Sequence, residues 1–214
     1  MFVKICGITT LGDAQAAAAA GADFVGLIRA ASPRQVTLEV ARAIAESLPP
    51  HTRPVLLYRD APVAEVVAGV GATGINCVQL HGAEFVTYVE DLLGRCADLR
   101  LIKAWEVRGP DAADGLCAYL AAARRADLAL EAVILDTPKG EPHPGFACLG
   151  EVAHRCRHAE TRIFCAGGVT PENVRAALAC GPFDGVDVAR GVESRPGVKD
   201  HAVLRRFVEQ ARLA

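Results

Sequence analysis

Short apolar runs alternate with amphipathic stretches along the whole chain, and the alternation predicts strand–helix units. Phe2–Cys6 reads as the first strand. Thr9 or Thr10 then caps a helix that runs through Asp13 and an alanine stretch to Gly21, a good C-terminal stop. Phe24–Ile28 is the second strand. Thr37 caps the next helix, which spaces Leu38, Val40, Ala41, Ile44 and Leu48 for one buried face and ends at Pro49-Pro50. Pro54–Tyr58 and a helix from Val63 to Val70 follow, then Asn76–Leu80 and a helix from Glu84 to Leu93. Arg100–Ala104 precedes a long helix opened by Asp111, and Ala132–Leu135 precedes a less clearly bounded one between Phe146 and Arg155. Arg162–Ala166 leads to Thr170-Pro171-Glu172, which combines a cap, a first-turn proline and a first-turn acid. Gly185–Val188 is the last strand of the series. The final helix follows Asp200, with Val203, Leu204, Phe207, Val208 and Ala211 on one stripe.

Eight strands of this kind, short, apolar and rich in β-branched residues, suit burial on both faces in a parallel sheet. Eight successive units with no break favour a closed (β/α)8 TIM barrel over an open sheet, which would leave two edges to protect. Residues 1–214 therefore read as a single barrel domain, with no linker or low-complexity tract.

Composition narrows the function. The chain has 214 residues, a net charge of -2 and 5% aromatic residues, with lysines and arginines scattered among acids. No basic stripe or aromatic platform suggests nucleic acid, and no apolar run approaches the roughly 20 residues of a membrane span. Lys4 and Asp13 interrupt what would be the apolar region of a secretory signal, so a cytoplasmic location is expected. The eight cysteines form neither a Cys-x-x-Cys pair nor a zinc-spaced cluster, and in a chain large enough to hold a core without staples they read as reduced thiols.

In a barrel the C-terminal strand ends and the loops behind them form one rim, where this fold carries its chemistry. That rim collects Cys6, Arg29, Ser32-Pro33-Arg34, Arg59-Asp60, His81-Gly82, Trp105-Glu106, Asp136-Thr137, Gly167-Gly168 and Asp187 through Gly191. Cys6 followed by Gly7 is either a small buried hydrophobe, as most free cysteines are, or a nucleophile or proton carrier with space for a ligand beside it. The two glycine turns, after the seventh and eighth strands, can expose backbone N–H groups to a phosphate, and a helix start at Pro171 would reinforce the first of them. Glycines needed only for tight turns would look the same.

Taken together, these stretches resemble the phosphoribosylanthranilate isomerase family over nearly the whole chain. The matching segments are KICGIT at Lys4–Thr9, GAD at Gly21–Asp23, SPRQV at Ser32–Val36, VQLHG at Val78–Gly82, IKA at Ile102–Ala104 and LDT at Leu135–Thr137. AGGVTPENV at Ala166–Val174, GVDVARGVE at Gly185–Glu193 and GVKD at Gly197–Asp200 complete the set. The resemblance implies an Amadori rearrangement in tryptophan biosynthesis without metal or cofactor. It implies Cys6 as general base and Asp136 as general acid. It further implies that Arg34 pairs with the anthranilate carboxylate and that His81, Gly167, Gly168, Asp187, Arg190 and Gly191 complete the substrate site. The implied partner is a small phosphorylated sugar-amine, with neither nucleic acid nor membrane, and the implied assembly is a monomer or homodimer. A thiolate at Cys6 close to Asp136 would raise the carboxyl pKa and help keep the acid protonated. Lys4, two positions before Cys6, points the same way along the strand, either favouring thiolate or acting as an interior lysine with a structural partner.

The chain also departs from the family. Ala189-Arg190 stands where two serines are usual, Arg29 replaces a commonly aromatic or apolar residue, and the loop from Pro138 to Phe146 is short and carries three prolines. Three functions remain to be separated: this isomerase with drifted loops, a related isomerase acting on a different phosphorylated sugar-amine, or a non-catalytic metabolite-binding barrel. Retention of Cys6, Arg34 and Asp136 together speaks against the last, because a pure binder needs no acid–base pair.

Overall fold

The strand runs close on themselves as expected. In a computed structural model, which describes residues 1–96, 98–138, 140–157 and 161–214, eight parallel strands form a closed barrel in sequence order. They are β1 (Phe2–Cys6), β2 (Phe24–Ile28), β3 (Arg53–Tyr58), β4 (Cys77–Leu80), β5 (Arg100–Glu106), β6 (Ala132–Asp136), β7 (Arg162–Cys165) and β8 (Gly185–Val188). Lys4 of β1 lies opposite both Phe24 of β2 and Asp187 of β8, which is where the barrel closes.

Helices α1 (Leu11–Ala19), α2 (Leu38–Ser47), α3 (Val63–Thr73), α4 (Val86–Arg95), α5 (Ala112–Arg125), α6 (Phe146–Cys156), α7 (Val174–Leu178) and α8 (His201–Arg212) follow the strands in turn. Three helices carry the side-chain caps expected of them, whereas Asp111 precedes α5 without a capping hydrogen bond. Thr10 accepts from the Asp13 N–H, Thr37 from the Val40 N–H, and Asp200 from the N–H groups of Ala202 and Val203. No helix among the described residues is long and apolar enough to cross a membrane.

Alternation along each strand divides the apolar residues into two cores. Outward residues such as Val3, Ile5, Val25, Leu27, Leu56 and Val133 pack against the helices. The lumen is filled by Phe24, Val55, Cys77, Ile102, Ile134 and Phe164, with Phe2 packed against them at the N-terminal end. That end is sealed by charge as well. Glu131 accepts from Arg100 (3.1 Å) and Arg162 (2.6 Å) and stands 3.3 Å from Arg53, while Arg53 and Arg162 also lie over the rings of Phe24 and Phe2. The cluster belongs to the face that carries stability in this fold rather than chemistry.

Three elements differ from the sequence reading, two of them because a side chain takes over backbone hydrogen bonds. The helix expected from Glu84 begins at Val86: Glu84 is buried in the loop, where its carboxylate accepts from the N–H groups of Asp60 and Gly82 and from Lys103. The helix expected from Thr170-Pro171 begins only at Val174. The Asn173 side chain accepts from the Thr170 N–H and donates to the Gly168 carbonyl, so the segment before the helix is a side-chain-locked turn. After β8, a 3₁₀ turn (Arg190–Val192) and a small antiparallel hairpin of β9 (Glu193–Arg195) and β10 (Val198–Lys199) intervene before α8. The short, mostly polar hairpin carries no clear strand pattern in the sequence. Lys139, in the loop after β6, lies outside the described residues.

Candidate active site

The C-terminal strand ends enclose a cavity of about 490 Å³, lined by all of the catalytic and substrate-site residues that the family resemblance implied: Cys6, Arg34, His81, Asp136, Gly167, Gly168, Asp187, Arg190 and Gly191. Each arrives there by strand register. Cys6 is the last residue of β1, Asp136 the last of β6, and His81 follows β4.

Cys6 is buried, with only 5% of its surface exposed. Gly26 on β2 makes its space: a Cβ there would sit 2.9 Å from the Cys6 Sγ and 3.0 Å from the Lys4 Nζ. Burial pushes the thiol pKa up; Lys4 and Lys199 pull it down and Asp187 pushes it up, with a net rise. Lys4, fully buried, donates to Asp187 Oδ1 at 2.9 Å. Burial pulls the Lys4 pKa down, but Asp187 and Cys6 outweigh it and hold the ammonium above its ordinary value. Lys4 thus has a structural partner and also favours thiolate, so both alternatives left open by the sequence hold. Asp187 lines the cavity with its carboxylate committed to Lys4.

Lys4, Asp187 and Lys199 bear on the Cys6 thiol, and Asp136, on the same cavity, faces His81, whose Nε2 lies 3.7 Å from its Oδ2. The Thr137 N–H donates to Asp136 Oδ1 at 2.8 Å. The Gln79 amide lies 2.9 Å from His81 Nδ1; with its NH₂ donating there, the imidazole proton sits on Nε2, toward Asp136.

Arg34 lies over the backbone after Cys6, where a Cβ on Gly7 would come within 2.6 Å of its Cδ. Its Nε and Nη2 donate to Glu193 at 2.8 and 2.6 Å, a bidentate pair that raises the guanidinium pKa chiefly through those hydrogen bonds. Glu193, Lys199 and Gln79 were not picked out as site residues from the sequence, although Glu193 and Lys199 fall inside the GVE and GVKD segments. Glu193 and Lys199 find Arg34 and Cys6 about 160 to 190 positions away, which spacing alone does not disclose.

Opposite, Gly167 and Gly168 have φ of +80° and +68°, and a Cβ on Gly167 would lie 2.4 Å from the Thr137 hydroxyl. A side chain there would be both strained and obstructed. His143, from the short loop after β6, lies 3.0 Å from the Gly167 carbonyl through Nε2 and accepts from the Gly145 N–H, which ties that loop to the glycine turn. Arg190 is exposed at the rim with no hydrogen bond or ion pair of its own among the described residues. Arg29 does not line the cavity: it turns back to donate to the Val36 carbonyl beside Tyr58. Extra negative charge on a substrate would therefore meet Arg190 or Arg59, which lines the same cavity, but not Arg29.

The family model for N-(5'phosphoribosyl)anthranilate (PRA) isomerase matches residues 3–210. An N-(5'-phosphoribosyl)anthranilate isomerase from Geobacter sp. (strain M21) is 39% identical over 212 residues, covering 98% of this chain and 97% of the relative. Among solved structures, the phosphoribosyl anthranilate isomerase from Thermotoga maritima superposes over 100% of both chains with a TM-score of 0.86 at 30% identity. A phosphoribosyl anthranilate isomerase in complex with reduced 1-(o-carboxyphenylamino)-1-deoxyribulose 5-phosphate does so with a TM-score of 0.84, also at 30% identity and over 100% of both chains.

Proposed function

The chain belongs to the N-(5'-phosphoribosyl)anthranilate isomerase family, and from that premise we propose that it converts N-(5'-phosphoribosyl)anthranilate to 1-(o-carboxyphenylamino)-1-deoxyribulose 5-phosphate in tryptophan biosynthesis. The reaction moves hydrogen within one molecule, oxidising C2' as it reduces C1', so its balance calls for no external redox partner. Asp136 protonates the ribose ring oxygen as the C1'–O bond breaks, giving a Schiff base. Cys6 removes the proton from C2', and the enolamine tautomerises to the ketone. A general acid and a general base must therefore coexist at one mouth near neutral pH.

The observation that carries this reading is the placement of a thiol and a carboxyl at the ends of β1 and β6 around one cavity, with Lys4, Asp187 and Lys199 about Cys6 and His81 beside Asp136. Arg34 receives the anthranilate carboxylate with the part of its guanidinium that Glu193 leaves free. The glycine turns, with Asp187 and Gly191 framing the second, hold the phosphate through backbone N–H groups, and Arg190 adds a charge-assisted contact. The test is complementation: expressing this chain in a tryptophan auxotroph lacking the isomerase should restore growth without tryptophan. No growth from a soluble, expressed chain would overturn the assignment.

A further inference from the structure

Lys199 belongs to a hairpin outside the barrel, yet its ammonium is fully buried beneath the catalytic rim. Nζ donates to the carbonyls of Cys6 (2.6 Å) and Ala189 (3.1 Å) and to Glu193 Oε1 (2.9 Å), which uses all three of its protons. The first two acceptors belong to neighbouring strands. The β1–β8 ladder ends at the pair Ile5 and Val188, so Cys6 and Ala189 each lie one residue beyond the last rung. Lys199 bridges them where the sheet no longer does.

Glu193 binds both Lys199 and Arg34. Burial pushes its carboxyl pKa up, but hydrogen bonds from Arg34 and Lys199 outweigh burial and hold it below the ordinary value. Two cations thus share one carboxylate, which leaves excess positive charge in this cluster beside Cys6. Burial lowers the Lys199 pKa against the pull of Glu193, a cost that a purely structural bridge could avoid with a neutral donor.

We propose that Lys199, held by Glu193, is a positioning residue that fixes Cys6 against the phosphate turn and supplies positive charge beside the thiol. The proposal rests on the reading of Cys6 as the base. The charged and titratable groups around that thiol come from every side. They are Lys4 on β1, Asp187 on β8, Arg34 after β2, Glu193 and Lys199 on the hairpin, Asp13 on α1 behind it, and His81 and Asp136 across the mouth. Of these, Lys199 and Glu193 can be altered without touching the proposed acid or the Lys4–Asp187 pair, and their charges act on the thiol in opposite directions.

The experiment follows alkylation of Cys6 by iodoacetamide from pH 7 to 11.5 in the full-length protein, reading the Cys6 peptide by mass spectrometry. Lys199→Met should move the midpoint up by about one pH unit, the scale of removing a nearby opposite charge. Lys199→Arg should keep it near that of the parent, and Glu193→Gln should move it down. Lys199→Met should also lower kcat at least tenfold. A folded Lys199→Met with an unmoved midpoint would overturn the proposal, as would an upward or absent shift in Glu193→Gln; the latter variant decides alone if Lys199→Met does not fold. Alkylation needs no substrate, so a parent protein inactive on N-(5'-phosphoribosyl)anthranilate would refute the functional reading while leaving this charge effect separately measurable.

Discussion

In the proposed mechanism Cys6 must give up a proton from a site that burial makes hostile to negative charge. Its pKa is raised above the ordinary thiol value despite Lys4 and Lys199, so thiolate is the minor form at neutral pH. A base acts only when deprotonated, and kcat/KM should therefore climb with pH between 6 and about 8.5 rather than level off at neutrality. A profile flat across that range would mean that Cys6 is not the titrating base. At the opposite side of the mouth, Arg190, whose side chain has no partner among the described residues, is the proposed phosphate contact. Arg190→Ser should weaken binding of a phosphorylated product analogue by about three- to tenfold at low salt, and the difference should shrink as salt rises and screens the exposed charge. Equal affinities across the salt series would make Arg190 a solvated surface charge. At this scale the sequence was informative about which residues at or just beyond the strand ends line the cavity, as with Cys6, His81 and Asp136. It was silent on Glu193 and Lys199, whose significance lies in contacts with residues about 160 to 190 positions away.

The glycine turn after β7 depends on backbone freedom more than on any side chain. Gly167→Ala would place a methyl group against Thr137, next to Asp136, in a left-handed conformation costing roughly 1–2 kcal/mol. It should raise KM at least tenfold with the far-ultraviolet circular dichroism unchanged; an unaltered KM would remove this turn from the phosphate site. The turn also shows where local pattern misleads. Thr170-Pro171-Glu172 carries strong helix-start signals, but the Asn173 amide takes the Thr170 N–H and the Gly168 carbonyl, and the helix waits until Val174. Likewise Glu84 looks like a first-turn acid and is instead the buried acceptor that fixes the His81-Gly82 loop. Strands such as Phe2–Cys6, Phe24–Ile28 and Gly185–Val188 were legible to the residue, because burial on both faces leaves a mostly apolar signature in which the two charges, Lys4 and Asp187, pair with each other.

Across the whole molecule the barrel separates stability from chemistry, end to end. The N-terminal face closes over an aromatic cluster with Glu131 shared among three arginines, whose Phe2 and Phe24 rings lie within reach of the same guanidiniums. Burial alone would raise the Glu131 pKa, but the arginines outweigh it and hold it low. A carboxylate with a depressed folded pKa stabilises the fold above its unfolded pKa, and that contribution is lost as pH falls through the folded value. Glu131→Gln should therefore cost about 1–3 kcal/mol at pH 7, a cost that shrinks as pH falls below the ordinary carboxyl pKa and through the depressed folded one, while kcat stays unchanged. A stability difference independent of pH would assign the effect to packing. The catalytic face makes the opposite use of charge, holding a thiol among cations on one side and a carboxyl beside an imidazole on the other. The direct measurement of that arrangement is steady-state turnover of N-(5'-phosphoribosyl)anthranilate by the purified chain, Cys6→Ser and Asp136→Asn, each checked for an unchanged fold. The parent should be active and each variant should lose at least about 10²-fold in kcat; near-parental turnover by either folded variant would contradict the acid–base pair.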